Sequence, residues 1–155
     1  MLRFRGFSIL ALITALIATP VLAQSANFGK LTLSPGFRRA VGIVSGYTNG
    51  SFSLSSIANR DRQKNACIGY GDPTPDHIMV LEKDFSRLEV KVDTGGKDTT
   101  LVIKGPDDTV RCGDDTGNSK DASIEATNWK AGKYSIWVGN IESGQTWNYN
   151  LSVRE

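Results

Sequence analysis

The chain is predicted to be all-β: an antiparallel β-sandwich of jelly-roll character, closed by one disulfide. Three observations predict it. No window of helical length places apolar residues at i, i+3, i+4 and i+7. Short runs instead alternate apolar and polar residues, the pattern of strands with one buried face. Clusters of Gly, Pro, Asn and Asp separate these runs at sandwich spacing.

The chain opens on an export signal. Met1-Leu-Arg-Phe-Arg5 is a basic start, Phe7 to Ala18 is apolar and uncharged, and Val21-Leu22-Ala23 has the small residues of a cleavage site. The apolar run is shorter than the about 20 residues that span a bilayer. Residues 1–23 are therefore read as a signal peptide, with no transmembrane segment after its cleavage, and no Cys follows Ala23 to carry a lipid. The protein is expected to be secreted or periplasmic, in an oxidising compartment.

The strands follow in order. Ala40–Ser45 is the first candidate, and Asn49-Gly50 signals a turn. Phe52 and Leu54 alternate with serines, Ala58–Asn65 is a polar, basic loop, and Gly69–Asp76 is a turn segment stiffened by two prolines. His77–Leu81 is apolar. Leu88, Val90 and Val92 alternate with Glu89, Lys91 and Asp93, as in a strand with one wet face. Thr99–Lys104 is dense enough in apolar residues to be buried on both faces. Gly105-Pro-Asp-Asp108 turns into a short strand, Thr109–Cys112, and a polar loop, Gly113–Asp121, leads to Ser123–Thr127. On Lys133–Val138, Tyr134, Ile136 and Val138 share one face, and Ser135 and Trp137 the other. Trp147, Tyr149, Leu151 and Val153 alternate with polar residues to the end. The total is about eight or nine strands.

Residues 24–70 form a basic segment that contributes early strands to the same domain, and residues 71–155 the sandwich proper. Lys30, Arg38, Arg39, Arg60, Arg62 and Lys64 stand against Asp61 alone in the first part, whereas the second has an acidic excess. Without Arg3 and Arg5, the 18 basic residues of the chain become 16, equal to the 16 acidic ones. This balance argues against a nucleic-acid binder. The basic segment either packs on the acidic remainder, faces an anionic surface, or is simply solvated.

Cys67 and Cys112 are the only cysteines. In an exported chain such a pair forms a disulfide, here closing a loop of about 45 residues worth roughly 4 kcal/mol in the chain-entropy model. A reactive thiol is the alternative, but there is no Cys-x-x-Cys and the one histidine is distant in sequence.

From about Asp76 to Val153 the chain resembles the bacterial pre-peptidase C-terminal domain family. The resemblance is carried by Leu88–Val92, Asp98-Thr-Thr-Leu-Val-Ile103, Gly105-Pro-Asp-Asp108, the polar loop, Ala131-Gly-Lys-Tyr-Ser-Ile-Trp-Val-Gly139 and Trp147-Asn-Tyr-Asn-Leu-Ser-Val153. It implies a jelly-roll-like, non-catalytic domain of exported enzymes, with relatives associated with collagen or carbohydrate, some of which bind calcium. The chain departs from the family pattern in having no enzyme domain before the sandwich.

Catalytic chemistry is sparse. There is no Gly-x-Ser-x-Gly and no Ser-x-x-Lys. His77 is read as a structural histidine paired with a neighbouring carboxylate, rather than a general base, and cannot make a zinc site alone. No enzyme activity is expected. Asp107, Asp108, Asp114, Asp115 and Asp121 crowd a Gly- and Asn-rich stretch and are the candidate ligands for calcium, which takes six to eight oxygens. Asp also populates turns for backbone reasons alone, and the spacing is not that of an EF-hand. Trp137, opposite the face of Tyr134, Ile136 and Val138, is the candidate exposed ring for ligand stacking. The expected function is a non-catalytic exported binding module for an extracellular polysaccharide, matrix or partner protein. The alternatives are an accessory envelope protein acting through a partner enzyme, and a small hydrolase with an unrecognised site.

Overall fold

The protein is described by a computed structural model covering residues 25–155; the expected signal peptide lies outside the described residues. The strands are β1 (Gly29–Leu33), β2 (Ile43–Tyr47), β3 (Phe52–Ser53), β4 (Tyr70–Gly71), β5 (His77–Leu81), β6 (Phe85–Asp93), β7 (Thr99–Lys104), β8 (Val110–Gly113), β9 (Ser123–Trp129), β10 (Gly132–Asn140) and β11 (Asn148–Arg154). Short 3-10 turns occur at Arg39–Gly42, Leu54–Ser56 and Pro106–Asp108.

Two sheets face each other. In the larger, β10 is central: one edge pairs with β7 and then β8, while the other pairs with β5 and then β1 at one end, and with β4 and then β3 at the other. The smaller sheet runs β2–β11–β6–β9. Pairing is antiparallel except between β1 and β5, where Gly29 lies opposite His77 and Leu33 opposite Leu81. This strand was not expected, because Gly29-Lys-Leu-Thr-Leu33 is short and half polar. The predicted first strand also begins too early. Residues 39–42 form a 3-10 turn instead, in which a Cβ on Gly42 would lie 2.5 Å from the Val153 carbonyl oxygen.

The main core lies between the sheets. Leu31, Leu33, Met79, Leu81, Leu101, Ile103, Tyr134, Ile136 and Val138 from the larger sheet meet Leu88, Val90, Val92, Ile124, Trp129, Tyr149, Leu151 and Val153 from the smaller. Full burial contributes about 1.5–3 kcal/mol for each large apolar side chain, so these faces supply the main drive to fold. A second apolar layer covers the outer face of the larger sheet, where Leu54, Cys67, Val102, Cys112 and Trp137 pack with Phe52, Ile57, Ala58 and Val110. Residues 52–67 therefore lie across the back of β7, β8 and β10. This explains why β7 is buried on both faces, whereas β6 has one wet face.

Candidate functional site

The side of the sandwich where β8 and β9 end their sheets is closed by residues 59–67. Asp61 organises this loop. Its Oδ1 accepts the backbone N–H of Gln63 and of Asn65, each at 2.9 Å, and its Oδ2 accepts Asn65 Nδ2 at 2.9 Å and the Cys112 backbone N–H at 3.2 Å. The last bond caps the open edge of β8. Cys67 and Cys112 are disulfide-bonded, with Cα atoms 5.1 Å apart, and anchor the loop to that strand. Arg60 Nη1 donates to the Lys64 carbonyl at 2.8 Å, and Lys64 has φ 71°. An exposed edge strand invites pairing with other chains, and this loop covers it.

Arg111 points the opposite way from Cys112, toward β9. Its guanidinium carbon lies 4.1 Å from the centre of the Trp129 ring, a cation–π arrangement. Nη2 donates long bonds to the carbonyls of Thr127 and Asn128, at 3.4 and 3.5 Å. No carboxylate pairs with it among the described residues. Burial, chiefly, holds the Arg111 pKa below its ordinary value; the nearby Arg62 charge lowers it further, and the Tyr134 and Asp61 charges oppose the shift. Arg111 faces a groove of about 420 Å³ whose rim includes Arg62, Gln63, Asp107 and Asn128 and whose wall includes Pro106 and Tyr134. Tyr134 donates to the Lys130 carbonyl at 2.7 Å. Gly105 leaves room for the Tyr134 ring, since a Cβ there would sit 2.2 Å from Tyr134 Cε1. Asp107 and Asn128 hold positive φ, 55° and 57°, as does neighbouring Asp108 at 53°. Asp and Asn tolerate that region better than most residues, and such backbone gathers at ligand clamps.

The five predicted calcium ligands do not meet. Asp114 and Asp115 do come together, but with Asp98, which the sequence reading did not name; one carboxylate oxygen of each lies within 4.8 Å of the others. Lys120 Nζ binds Asp98 Oδ2 at 2.9 Å. Asp114 Oδ1 is buried with no hydrogen-bond donor, and burial, with the charges of Asp115 and Asp98, raises its pKa. Asp121 instead organises the turn after β6: it accepts the backbone N–H of Thr94 and Gly96 at 2.9 and 3.0 Å, and the Thr94 hydroxyl. Asp108 pairs with Lys104 at 2.9 Å, and Asp107 lies on the rim of the Arg111 groove.

Trp137 occupies the outer face of its strand, as the alternation predicts, but the face is covered. It is 7% exposed beneath residues 52–67, and its Nε1 donates to the Pro73 carbonyl at 3.3 Å. The expectation of an exposed stacking ring is therefore corrected: the apolar residues Phe52, Leu54 and Ile57 bury it.

His77 is fully buried, and its Nε2 lies 2.8 Å from the Tyr149 hydroxyl, so its partner is a phenol and not the expected carboxylate. Its Nδ1 lies beside the Gly29 backbone without a hydrogen bond of good geometry. Burial pulls the His77 pKa down to about 4. Asp76 turns away to accept the Val138 backbone N–H at 2.7 Å, and burial pushes its pKa up to about 7. Burial also raises Tyr149.

No family model matches the chain, and no curated protein sequence matches it. Solved structures of similar fold include the pre-peptidase C-terminal domain of a collagenase from Bacillus anthracis, at 14% identity and a TM-score of 0.45, covering 81% of this chain and 94% of that one. Another is CorA, a surface-associated copper-binding protein of Methylomicrobium album BG8, at 9% identity and a TM-score of 0.45, covering 83% and 98% of the two chains. A third is PliG, a periplasmic inhibitor of g-type lysozyme from Aeromonas hydrophila, at 17% identity and a TM-score of 0.38, covering 80% and 95%.

Proposed function

We propose that the protein is a non-catalytic, exported binding module whose contact surface is the disulfide-tied edge, with an extracellular polysaccharide or partner protein as its ligand. The observation that carries this reading is the groove in front of Arg111, where a loop held by Asp61 and the Cys67–Cys112 bond places polar and charged side chains around an apolar wall. A rigid concavity lined in this way suits recognition. The histidine and both cysteines have structural partners, which leaves them poorly placed as a base or nucleophiles. The test is retention of the oxidised protein on an array of extracellular glycans, beside an Asp61→Ala variant with a loosened loop. Retention that weakens in the variant supports the groove; retention unaffected by it contradicts the groove.

A specific observation favours the accessory-protein alternative as second reading. Val41, Ile43 and Tyr47 are 44–49% exposed at the β2 edge, close in sequence to Arg38 and Arg39. An apolar edge of this kind fits a protein partner. No glycan retention, together with in-cell photo-crosslinks from position 43 to a single envelope protein, would favour this reading over the first.

Calcium is proposed as an organiser of the Asp98, Asp114 and Asp115 cluster, on the strength of the buried, donorless Asp114 oxygen. The ion would have to displace Lys120 from Asp98. Thermal melts in Ca²⁺ and in chelator test it: calcium at 100 times its Kd adds about 2.7 kcal/mol, seen as a shift of several degrees. That shift should vanish in Asp114→Asn/Asp115→Asn. Equal melts in both buffers would leave the cluster as an ion-paired turn.

A further inference from the structure

We propose that Asn49-Gly50 is a site of spontaneous backbone modification, at which the folded protein converts its asparagine to isoaspartate. The inference is independent of the groove and of its ligand.

Three observations carry it. Asn49 is exposed on the connection from β2 to β3, and its side chain has no hydrogen-bond partner among the described residues. The Gly50 backbone N–H, whose nitrogen must attack that side chain, is likewise unpartnered among them. The fold also requires glycine at this point. Gly50 holds φ 104°, and a Cβ there would collide with the Gly71 carbonyl oxygen. The connection therefore keeps the residue type that obstructs the attacking nitrogen least.

Other asparagines differ on these points. Asn49-Gly50 is the only Asn-Gly pair in the chain. Asn118 is exposed, but the N–H of the following Ser119 donates to the Thr116 carbonyl at 2.9 Å. Asn65 Nδ2 is held by Asp61 Oδ2 at 2.9 Å, and Asn140 is buried.

The step balances with water as the one co-reactant. The Gly50 nitrogen bonds to Asn49 Cγ as the Cγ–Nδ2 bond breaks, and its proton leaves with Nδ2 as ammonia. Water then opens the five-membered imide. Opening at Cγ gives an aspartyl residue. Opening at the backbone carbonyl carbon of residue 49 gives isoaspartate, whose main chain runs through Cβ and Cγ and is one atom longer.

That extra atom falls between two anchors on the β10–β11 loop. Thr48 Oγ1 accepts the Trp147 backbone N–H and Asn140 Nδ2, both at 2.9 Å. The Gly50 carbonyl accepts the Gly144 N–H at 3.0 Å. Thr48 is buried and doubly bonded, so the Gly50–Gly144 bond is the one that opens when the chain lengthens.

The experiment is ageing of the oxidised protein at physiological temperature and mildly alkaline pH. Peptide mass spectrometry with electron-transfer fragmentation then distinguishes isoaspartate from aspartate at each position. Asn49 is expected to convert roughly tenfold faster than Asn118, because glycine lacks the Cβ that hinders attack. Isoaspartate should be the larger product, and Asn49→Gln should age without this change. The Gly144 amide of the aged protein should lose protection in hydrogen exchange. Asn49→Asp, which adds the charge on a normal backbone, should retain that protection. Conversion at position 49 in the urea-unfolded chain but not in the folded protein would overturn the assignment, since the fold would then shield the site. Equal rates at Asn49 and Asn118 would overturn it too. Unchanged Gly144 protection in fully converted protein would overturn the effect on the β10–β11 loop.

Discussion

Asp61 shows how one exposed-looking residue can define a surface. Its two oxygens accept four hydrogen bonds, three within the loop and one from β8. Asp61→Ala is expected to cost about 1–2 kcal/mol in urea unfolding, at the lower end for charge-assisted bonds because the site is partly solvated. The amide of Cys112 should lose protection in hydrogen exchange, and unchanged protection there would contradict the capping role. Asp76 and His77 are neighbours with opposite linkage. The folded-state pKa of Asp76, about 7, lies above its ordinary 3.8, so its contribution is complete below pH 3.8 and is lost as pH rises toward 7. That of His77, about 4, lies below its ordinary 6.5, so its contribution is complete above pH 6.5 and is lost as pH falls toward 4. The two trends oppose each other between pH 4 and 6.5. Asp76→Asn keeps an oxygen for the Val138 N–H and removes one trend. Its stability, measured by urea denaturation from pH 4 to 8, should rise relative to wild type as pH increases, by on the order of a few kcal/mol. A constant difference across that range would contradict the buried-carboxylate account.

At the scale of elements, the strands that form the main core were legible because their alternation is strict. Leu88–Val92, Tyr134–Val138 and Tyr149–Val153 place every second residue inward, as predicted. β1 was not, since its register comes from parallel pairing with β5, a long-range contact that a five-residue half-polar run does not announce. Arg111 was missed for a related reason. On β8 the apolar residues Val110 and Cys112 face the covered back of the sheet, and Arg111, the charged residue between them, turns to the other side toward Trp129, a contact that alternation within a short strand does not announce. Asp98 is distant from Asp114 in sequence and reaches it because the backbone N–H of Thr99 bonds to the Lys120 carbonyl at 3.1 Å. Trp137 could be assigned to a face, but not to burial, which depends on residues 52–67. Trp137→Ala should therefore destabilise by about 3–5 kcal/mol, the cost of emptying a large aromatic site, measured by chemical denaturation. A loss below 1 kcal/mol would mean that the outer layer is loosely packed.

For the molecule as a whole, the disulfide joins the second apolar layer to the edge that bears the groove. Replacing Cys67 and Cys112 by serine is expected to cost up to about 4 kcal/mol, given the sequence separation of 45 residues, and to lose groove binding in parallel. A structural disulfide of this kind is characteristic of oxidising compartments. No described helix is long and apolar enough to cross a membrane. The outer face of the smaller sheet, with Ser45, Asp93, Asn148 and Asn150 beside a shallow depression, is the competing location for a ligand. A crystal structure of the oxidised protein grown with the glycan it retains on the array distinguishes the two faces most directly. The account predicts the glycan in the groove before Arg111, with a sugar ring against Pro106 and Tyr134. A glycan bound only at the Ser45–Asn150 face, or a groove left to solvent at saturating glycan, would contradict it.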